Sequence, residues 1–124
     1  MDLRLRLFKK IRLRKRAIFR KVYEEGRFVS NQMMAVHFMP NPEQARRIGF
    51  SAGKRLGGAV VRNRCKRRLR ECYRLHQQEI PEATDLIIVA RRSMVNAKWE
   101  NIEAAFLEAI GRSRRNIERN RARK

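Results

Sequence analysis

Residues 57–71 read GGAVVRNRCKRRLRE, a glycine-led turn that runs directly into a segment with helical periodicity. At about 100° per residue, this segment and the residues after it divide into two faces of a helix. The basic face comprises Arg62, Lys66, Arg70 and Arg74, with Asn63 and Arg67 beside them. The opposite face is apolar or small and comprises Val61, Cys65, Leu69, Cys72 and His76. The pattern predicts a helix that turns one face toward a core and the other toward a polyanion.

The charge of the whole chain indicates the same kind of partner. Its 124 residues have the length of one domain, and they carry a net charge of +20. Repulsion of that size opposes compaction unless a partner neutralises it, whereas a hydrophobic content of 43% indicates a folded core. Residues 1–21, 54–74 and 112–124 hold 26 of the 32 basic residues. We therefore predict a single nucleic-acid-binding domain over residues 1–124, with flexible basic ends at about 1–10 and 112–124.

The basic helix has few acids that could neutralise it from within the chain. A solvent-exposed helix held by salt bridges needs acids three or four residues from its bases, and only Glu71 is available. Asn63 leaves several interpretations open: it fixes a neighbouring arginine, touches a phosphate, holds a water of a hydrated cation, or is simply exposed. Polyanion binding is the interpretation that the helix as a whole favours.

The apolar pattern outside this helix predicts a mixed fold. A short helix over about Ala17–Glu25 ends at Gly26, and residues 28–39 form one long strand or two short ones before a proline-containing break. Ile48–Gly53 returns antiparallel after that break. Asp85–Ala90 is a continuous apolar run, typical of a central strand covered on both faces.

A last helix completes the predicted elements. Asn96 is positioned to cap it, its apolar residues recur at steps of three and four, and Gly111 is expected to end it. Trp99 belongs to the core by this pattern. The residues from Arg112 onward are too charged to bury and are expected to fray or to order on binding.

The cysteines and the N-terminus indicate an ordinary reducing compartment. Cys65 and Cys72 lie seven residues apart on one helix, about 10 Å between α-carbons, which is beyond disulfide reach. We expect buried thiols in a cytoplasmic protein. The first residues contain no apolar run long enough for a signal peptide or a membrane span.

Enzymatic groups are scarce in this sequence. The twelve acids are scattered, and the two histidines have no positioned acid or serine partner. The sequence also contains no zinc-ligand spacing and no glycine-rich phosphate loop. We therefore predict no catalytic residue and no metal ligand.

Two aromatic residues and the histidines have more than one interpretation. Phe19 and Tyr23, four residues apart on a basic helix, either stack on unpaired bases or anchor the helix to the sheet. His37, in the predicted strand, carries the same ambiguity. His76 is expected to form a polar edge of the apolar helix face.

Taken together, these segments resemble the protein component of bacterial ribonuclease P over roughly residues 8–110. The most specific elements are Arg62-Asn63-Arg64, Lys66-Arg67 and Arg70, preceded by Lys54-Arg55-Leu56-Gly57 and the strand Ile48-Gly49-Phe50-Ser51. Supporting elements are Arg12-Leu13-Arg14, then Phe19, Tyr23, Gly26 and Asn31, and the run from Asp85 to Arg91.

The resemblance implies a fold and an activity. The fold is an α+β two-layer sandwich of order αβββαβα, with a four-stranded sheet and a left-handed βαβ crossover, like the second domain of ribosomal protein S5. That hand is an exception to the usual right-handed connection. The implied activity is that of an accessory subunit, one protein for each catalytic RNA. The holoenzyme removes the 5′ leader of precursor tRNA with Mg²⁺ that is bound mainly by the RNA, and catalysis resides in the RNA.

The resemblance also implies which residues contact RNA. The leader would contact Phe19, Tyr23, Asn31 and His37. His37 departs from the family pattern, in which an aromatic residue can stand there, although imidazole is still planar. The catalytic RNA would contact Lys54, Arg55, Arg62, Asn63, Arg64, Lys66, Arg67 and Arg70.

Two other functions compete with this one. A ribosomal or general RNA-chaperone protein would have the same composition, and it would co-purify with ribosomal RNA instead of one defined RNA with leader-cleaving activity. A membrane-surface protein could use the leucine and arginine alternation of residues 3–7. The resemblance favours the ribonuclease P subunit, without a membrane partner.

Overall fold

The computed structural model of the chain describes residues 15–42 and 46–122. The elements in this part of the chain are α1 (Lys15–Glu25), β1 (Arg27–Ser30), β2 (Met34–Pro40), β3 (Arg47–Ser51), α2 (Ala59–Leu75), β4 (Thr84–Ala90) and α3 (Trp99–Ala122). This is the predicted α+β order αβββαβα. The predicted flexible end at residues 1–10 and the Arg12-Leu13-Arg14 element lie outside the described residues.

The four strands form one mixed sheet in the order β1-β2-β4-β3. As predicted, Asp85–Ala90 lies within its centre, because β4 pairs antiparallel with β2 and parallel with β3. The predicted strand over residues 28–39 is two strands, β1 and β2. Strand β3 runs antiparallel to β2 as expected, but β4 separates the two, so they do not pair. Helix α2 connects the parallel strands β3 and β4, and the hand of that crossover stays a prediction.

Helices α2 and α3 cover one face of the sheet. The strand residues on that face are apolar and buried, and they include Val36, Phe38, Phe50, Leu86 and Ile88. From the helices, the largest buried side chains are those of Leu69, Tyr73, Ile102, Phe106 and Ile110. Helix α1 crosses the opposite face, where Val22 and Ile87 are also buried. The sheet is therefore covered fully on one face and in part on the other.

The predicted burial of both thiols is confirmed. Cys65 and Cys72 are free cysteines inside the core between α2 and the sheet. Burial raises the pKa of both thiols, that of Cys72 to about 12. At neutral pH the two side chains therefore act as small apolar groups.

The two predicted ends of the last helix are wrong. Helix α3 begins at Trp99, and the Lys98 carbonyl accepts the amides of Asn101 and Ile102, so Asn96 lies outside the capping position. The helix also continues through Gly111 to Ala122. A glycine inside a helix costs about 1 kcal/mol relative to alanine. Packing in the following turns offsets that cost.

That packing comes from two residues beyond Gly111. Ser113 is fully buried and donates its hydroxyl to the Ala109 carbonyl at 2.9 Å, and Ile117 is 4% exposed within the core. The expectation that residues from Arg112 onward are too charged to bury is thus wrong for these positions. The final turns of α3 belong to the folded domain.

Replacing Ile117 with alanine tests this extension of the core. We expect Ile117→Ala to lower the free energy of unfolding by about 2–5 kcal/mol, because a buried aliphatic side chain is lost and a cavity remains. Urea unfolding monitored by circular dichroism measures the change. Glu118→Ala, at the adjacent exposed position, is the control and should change stability by less than about 0.5 kcal/mol. Equal stability of the two variants would show that the core ends before Ile117.

Candidate nucleic-acid interface

Helix α1 leaves one row of the sheet uncovered on its side. Cross-strand pairing aligns Ser30 with Ala35, Ala35 with Val89, and Val89 with Ser51. All four residues are half-buried, and they cross the sheet from the edge strand β1 to the edge strand β3. We call this row the open strip. It is a shallow floor without a charged side chain.

Four aromatic or imidazole rings border the open strip. Phe28 stacks on His37 with ring centroids 5.4 Å apart, His37 meets Tyr23 edge to face at 4.6 Å, and Tyr23 meets Phe19 at 6.2 Å. Tyr23 also hydrogen-bonds to the side chain of Ser51, at the β3 end of the strip. The sequence-predicted residues Phe19, Tyr23 and His37 are therefore brought together. We call the four rings the ring cluster.

The members of the ring cluster differ in exposure. Tyr23 is 43% exposed and Phe28 is 63% exposed, which is unusual for rings of this size. Burial lowers the pKa of His37, so its imidazole is neutral at pH 7 and can offer a flat uncharged surface. Burial is also the main cause that raises the pKa of Tyr23, whose hydroxyl stays protonated. The cluster presents exposed, uncharged ring surface beside a polar floor.

Phe19 anchors α1 to the sheet. A Cβ atom placed on Gly49 would lie 2.4 Å from the Phe19 ring, so only glycine allows the ring to approach β3 so closely. The Phe19 side chain is half-buried. Of the two interpretations that the sequence left open for this residue, the structure supports anchoring. Its contact with the leader stays a prediction.

The basic helix begins immediately beyond the β3 end of the open strip. Strand β3 ends at Ser51, and a 3-10 turn at Lys54–Leu56 leads to α2. Gly57, at φ 140°, adopts a backbone conformation that other residues avoid, and its neighbour Gly58 precedes the helix. The predicted RNA-contacting residues that are exposed are Lys54, Arg55, Asn63, Arg67 and Arg70. We call these five residues the basic helix face.

The other predicted cations of α2 are half-buried. Arg64 donates to the Val95 carbonyl at 3.4 Å, and Arg68, which sequence reasoning did not select, donates to the Ala97 carbonyl at 3.2 Å. The Nε atoms of Arg62 and Arg64 are buried and have no hydrogen-bond partner among the described residues. Each such unpaired buried donor costs free energy of folding. Lys66 is half-buried without a described ion pair.

Asn31 stands apart from the ring cluster. Its Oδ1 accepts the amides of Met33 and Met34 at 3.0 and 3.1 Å, and its Nδ2 donates to the Ala105 carbonyl and Glu108 Oε1. These bonds join the β1–β2 turn to α3. The side chain thus shapes the end of the open strip at Ser30, and its direct contact with the leader stays a prediction.

Sequence reasoning missed Phe28. In the sequence, Phe28 is one apolar residue among several between Arg27 and Met39. Its pairing with His37 depends on the position of the turn between β1 and β2, which the apolar pattern does not specify. The turn at residues 31–33, which Asn31 holds, fixes that register. An Asn beside a break in the apolar alternation was the available signal.

Carboxylates are rare on the sheet, although Glu24 and Glu25 are exposed at the end of α1. Asp85 is the single acid on the four strands, and it accepts Arg47 through both oxygens and Asn41 through Oδ1. Among the described residues, no three His, Cys, Asp or Glu side chains lie close enough together to hold a metal ion. Within the same residues, no helix has the length and apolarity needed to cross a bilayer. The side chains available for binding here are therefore mainly cations and aromatic rings.

His76 takes the structural role that the sequence predicted, but the expectation that it has no positioned acid partner is wrong. Its Nε2 lies 2.8 Å from Glu103 Oε2, and its ring packs beside Phe106. This contact joins the end of α2 to α3 and lies away from the ring cluster.

Comparisons with known proteins agree on one family. The sequence profile described as Ribonuclease P matches residues 7–114. The ribonuclease P protein component of Alkaliphilus oremlandii is 37% identical over 99 residues, which cover 80% of this chain and 87% of that protein. That of Geobacillus kaustophilus is 32% identical over 106 residues, 85% of this chain and 88% of the relative.

Solved structures extend the agreement to the fold. The RNase P protein of Staphylococcus aureus superposes with a TM-score of 0.72 at 32% identity, covering 78% of this chain and 89% of that one. The protein from Thermotoga maritima superposes with a TM-score of 0.73 at 25% identity, covering 78% and 92%. The sheet order and the position of α2 therefore belong to a recurring architecture.

The contact between Phe19 and Gly49 can be tested through stability. We expect Gly49→Ala to lower the free energy of unfolding by about 1–3 kcal/mol, because the new methyl group would displace the ring and shift α1. Gly53→Ala is the control, since a Cβ there has no atom within 4 Å and its backbone is extended. Chemical denaturation of both variants measures the effect. Indistinguishable midpoints would contradict the anchoring role of Phe19.

Proposed function

Because this chain belongs to the ribonuclease P protein family, we propose that it is the protein subunit that binds both the catalytic RNA and the 5′ leader of precursor tRNA. The family's activity is tRNA processing, and its members are RNA-binding proteins. The observation that carries the proposal for this chain is the adjacency of two surfaces. The ring cluster and open strip end at Ser51, and the basic helix face begins three residues later at Lys54.

The open strip suits a single strand. Stacking on an exposed protein ring requires a base that is not already stacked in a duplex. Tyr23 and Phe28 present such rings at the edge of a floor that carries no charge, and the one strand carboxylate, Asp85, is paired with Arg47. A 5′ leader is an unpaired segment that the mature tRNA lacks, and the leader is the segment we assign to this strip.

The basic helix face suits the phosphates of a folded RNA. In the described part of the chain its cations make no ion pair, and the acid on the same helix, Glu71, is already paired with Arg74. Binding would release counterions, so assembly should weaken steeply with salt. We assign this face to the catalytic RNA, with one protein bound to each RNA.

The protein contributes binding in this proposal, and the RNA contributes hydrolysis. Magnesium prefers oxygen ligands, above all carboxylates and phosphates. The described residues bring no three His, Cys, Asp or Glu side chains together, whereas an RNA supplies many phosphate oxygens. We therefore assign the Mg²⁺ of the reaction to the RNA. Precursor and mature tRNA differ by the leader, so a protein that holds the leader strengthens substrate binding over product binding.

Removal of an exposed ring tests leader binding. In the holoenzyme, we expect Phe28→Ala to reduce the preference for precursor over mature tRNA by about 5-fold to 100-fold, since one stacked base contributes about 1–3 kcal/mol. Equilibrium binding of both RNAs measures the ratio. Leu75→Ala removes another exposed apolar side chain, at the far end of α2, and should leave the ratio unchanged. If wild-type holoenzyme binds both RNAs equally, the leader assignment is wrong.

The magnesium requirement tests the basic helix face. We expect Arg67→Ala and Arg70→Ala each to raise the Mg²⁺ concentration for half-maximal cleavage, because phosphates that lose a protein cation need more metal for screening. Both side chains are exposed, so the fold should be preserved. Arg67→Lys and Arg70→Lys keep the charge and should retain the wild-type titration. Unchanged titrations for both alanine variants would refute the role.

A further inference from the structure

The C-terminal half of α3 carries a second group of cations that the proposed function does not use. Arg112, Arg115 and Arg119 are spaced by three and four residues, so they project within about 60° of one another around the helix. Arg112 and Asn116 reach β1, where Arg112 donates to the Ser30 carbonyl at 2.8 Å and Asn116 accepts from Arg27 at 3.1 Å. The three arginines therefore line the side of α3 next to β1, where Arg112 also pairs with Glu108 at 3.5 Å. We call them the α3 flank.

The other side of α3 shows how the same helix treats arginines that belong to the fold. There, Arg114 pairs with Glu79 at 2.6 Å, and Arg121 donates to the Glu82 carbonyl at 3.3 Å. On the α3 flank, Arg115 and Arg119 are exposed, and neither makes a hydrogen bond or ion pair with any residue in 15–42 or 46–122. Two like charges one turn apart destabilise a helix slightly. Their position is not explained by the packing of α3.

The α3 flank is continuous with the open strip. Ser30 is the β1 end of the strip, and its carbonyl is the group that Arg112 holds. Strand β1 is the edge of the sheet, so a chain that lies on the strip can pass over this edge without meeting another strand. Phe28, the most exposed ring of the cluster, lies on the same edge strand. Arg112 lies at that edge, and Arg115 and Arg119 follow it along α3.

We propose that the α3 flank binds phosphates of the leader nucleotides farthest from the cleavage site. This inference rests on the proposed function, which puts the catalytic RNA at α2, beyond the Ser51 end of the strip. A leader that starts there crosses the strip toward Ser30 and leaves the sheet at the flank. Phosphate contacts carry no base information, so the flank would extend the leader site without adding sequence preference. The contribution of the flank to precursor affinity would then depend on leader length and not on leader sequence.

The test uses the holoenzyme reconstituted with ribonuclease P RNA and precursors whose leaders are shortened stepwise from about 16 nucleotides. We compare Arg115→Gln/Arg119→Gln with Arg114→Gln/Arg121→Gln, which removes the same charge from the opposite side of α3. We expect the first variant to bind long-leader precursor several-fold more weakly and short-leader precursor normally. Its slope of log affinity against log salt should also fall by about 1.4, since each single-strand phosphate contact contributes about 0.7. The control variant should show neither change.

Three results would overturn the proposal in different ways. Equal weakening for long and short leaders would mean that the flank contacts the catalytic RNA or the tRNA body. Normal binding of every precursor by Arg115→Gln/Arg119→Gln would mean that the flank contacts no RNA. If the wild-type holoenzyme gains nothing from any leader, the proposed leader function fails, and the flank proposal fails with it.

Discussion

The contact between the Phe19 ring and the Gly49 backbone determines how much of the sheet stays open. Because Gly49 has no side chain, the Phe19 ring of α1 lies directly on the edge strand β3, beside the buried Ile87 of the central strand β4. One turn further along α1, Tyr23 reaches Ser51 and His37. A larger residue at position 49 would lift the helix and separate these rings. The floor and the border of the proposed leader site thus depend on the absence of a side chain at Gly49.

In a chain with a net charge of +20, the fold orients several arginines without neutralising them. Arg64, Arg68 and Arg91 each donate to a backbone carbonyl of a turn or a loop. A carbonyl is a dipole with no net charge, so such a bond fixes the side chain and leaves the positive charge in place. Other arginines do pair with carboxylates, within the sheet at Arg47 and Asp85 and outside it at Arg74 and Glu71 and at Arg114 and Glu79. The positive charge of the arginines that are not paired with carboxylates is available to bind a polyanion.

The sequence was informative where a local pattern coincides with the tertiary structure. The two faces of α2 and the buried run of β4 are local patterns, and both were predicted. The end of α3 was not, because Gly111 and the arginines after it signal a helix stop, whereas the burial of Ser113 and Ile117 depends on distant elements. The position of Phe28 opposite His37 likewise depends on the register between β1 and β2. The pairing of β3 with β4 depends on the strand order of the sheet. Local signals do not encode these features.

The chemistry of the proposed leader site explains how one protein could serve many precursors. Rings of Tyr23 and Phe28 and the neutral imidazole of His37 can stack on any base, since every base has a flat π-face. The floor offers two serines, Ser30 and Ser51, and two small or medium apolar residues, Ala35 and Val89, with no arrangement of paired donors and acceptors that would select one base. Specific recognition would then have to come from the folded RNA partners, whose shape and phosphates the basic helix face meets. The proposed leader site would bind through base stacking and phosphate charge, with little selection among bases. Such a site fits substrates that share the tRNA body and differ in their leaders.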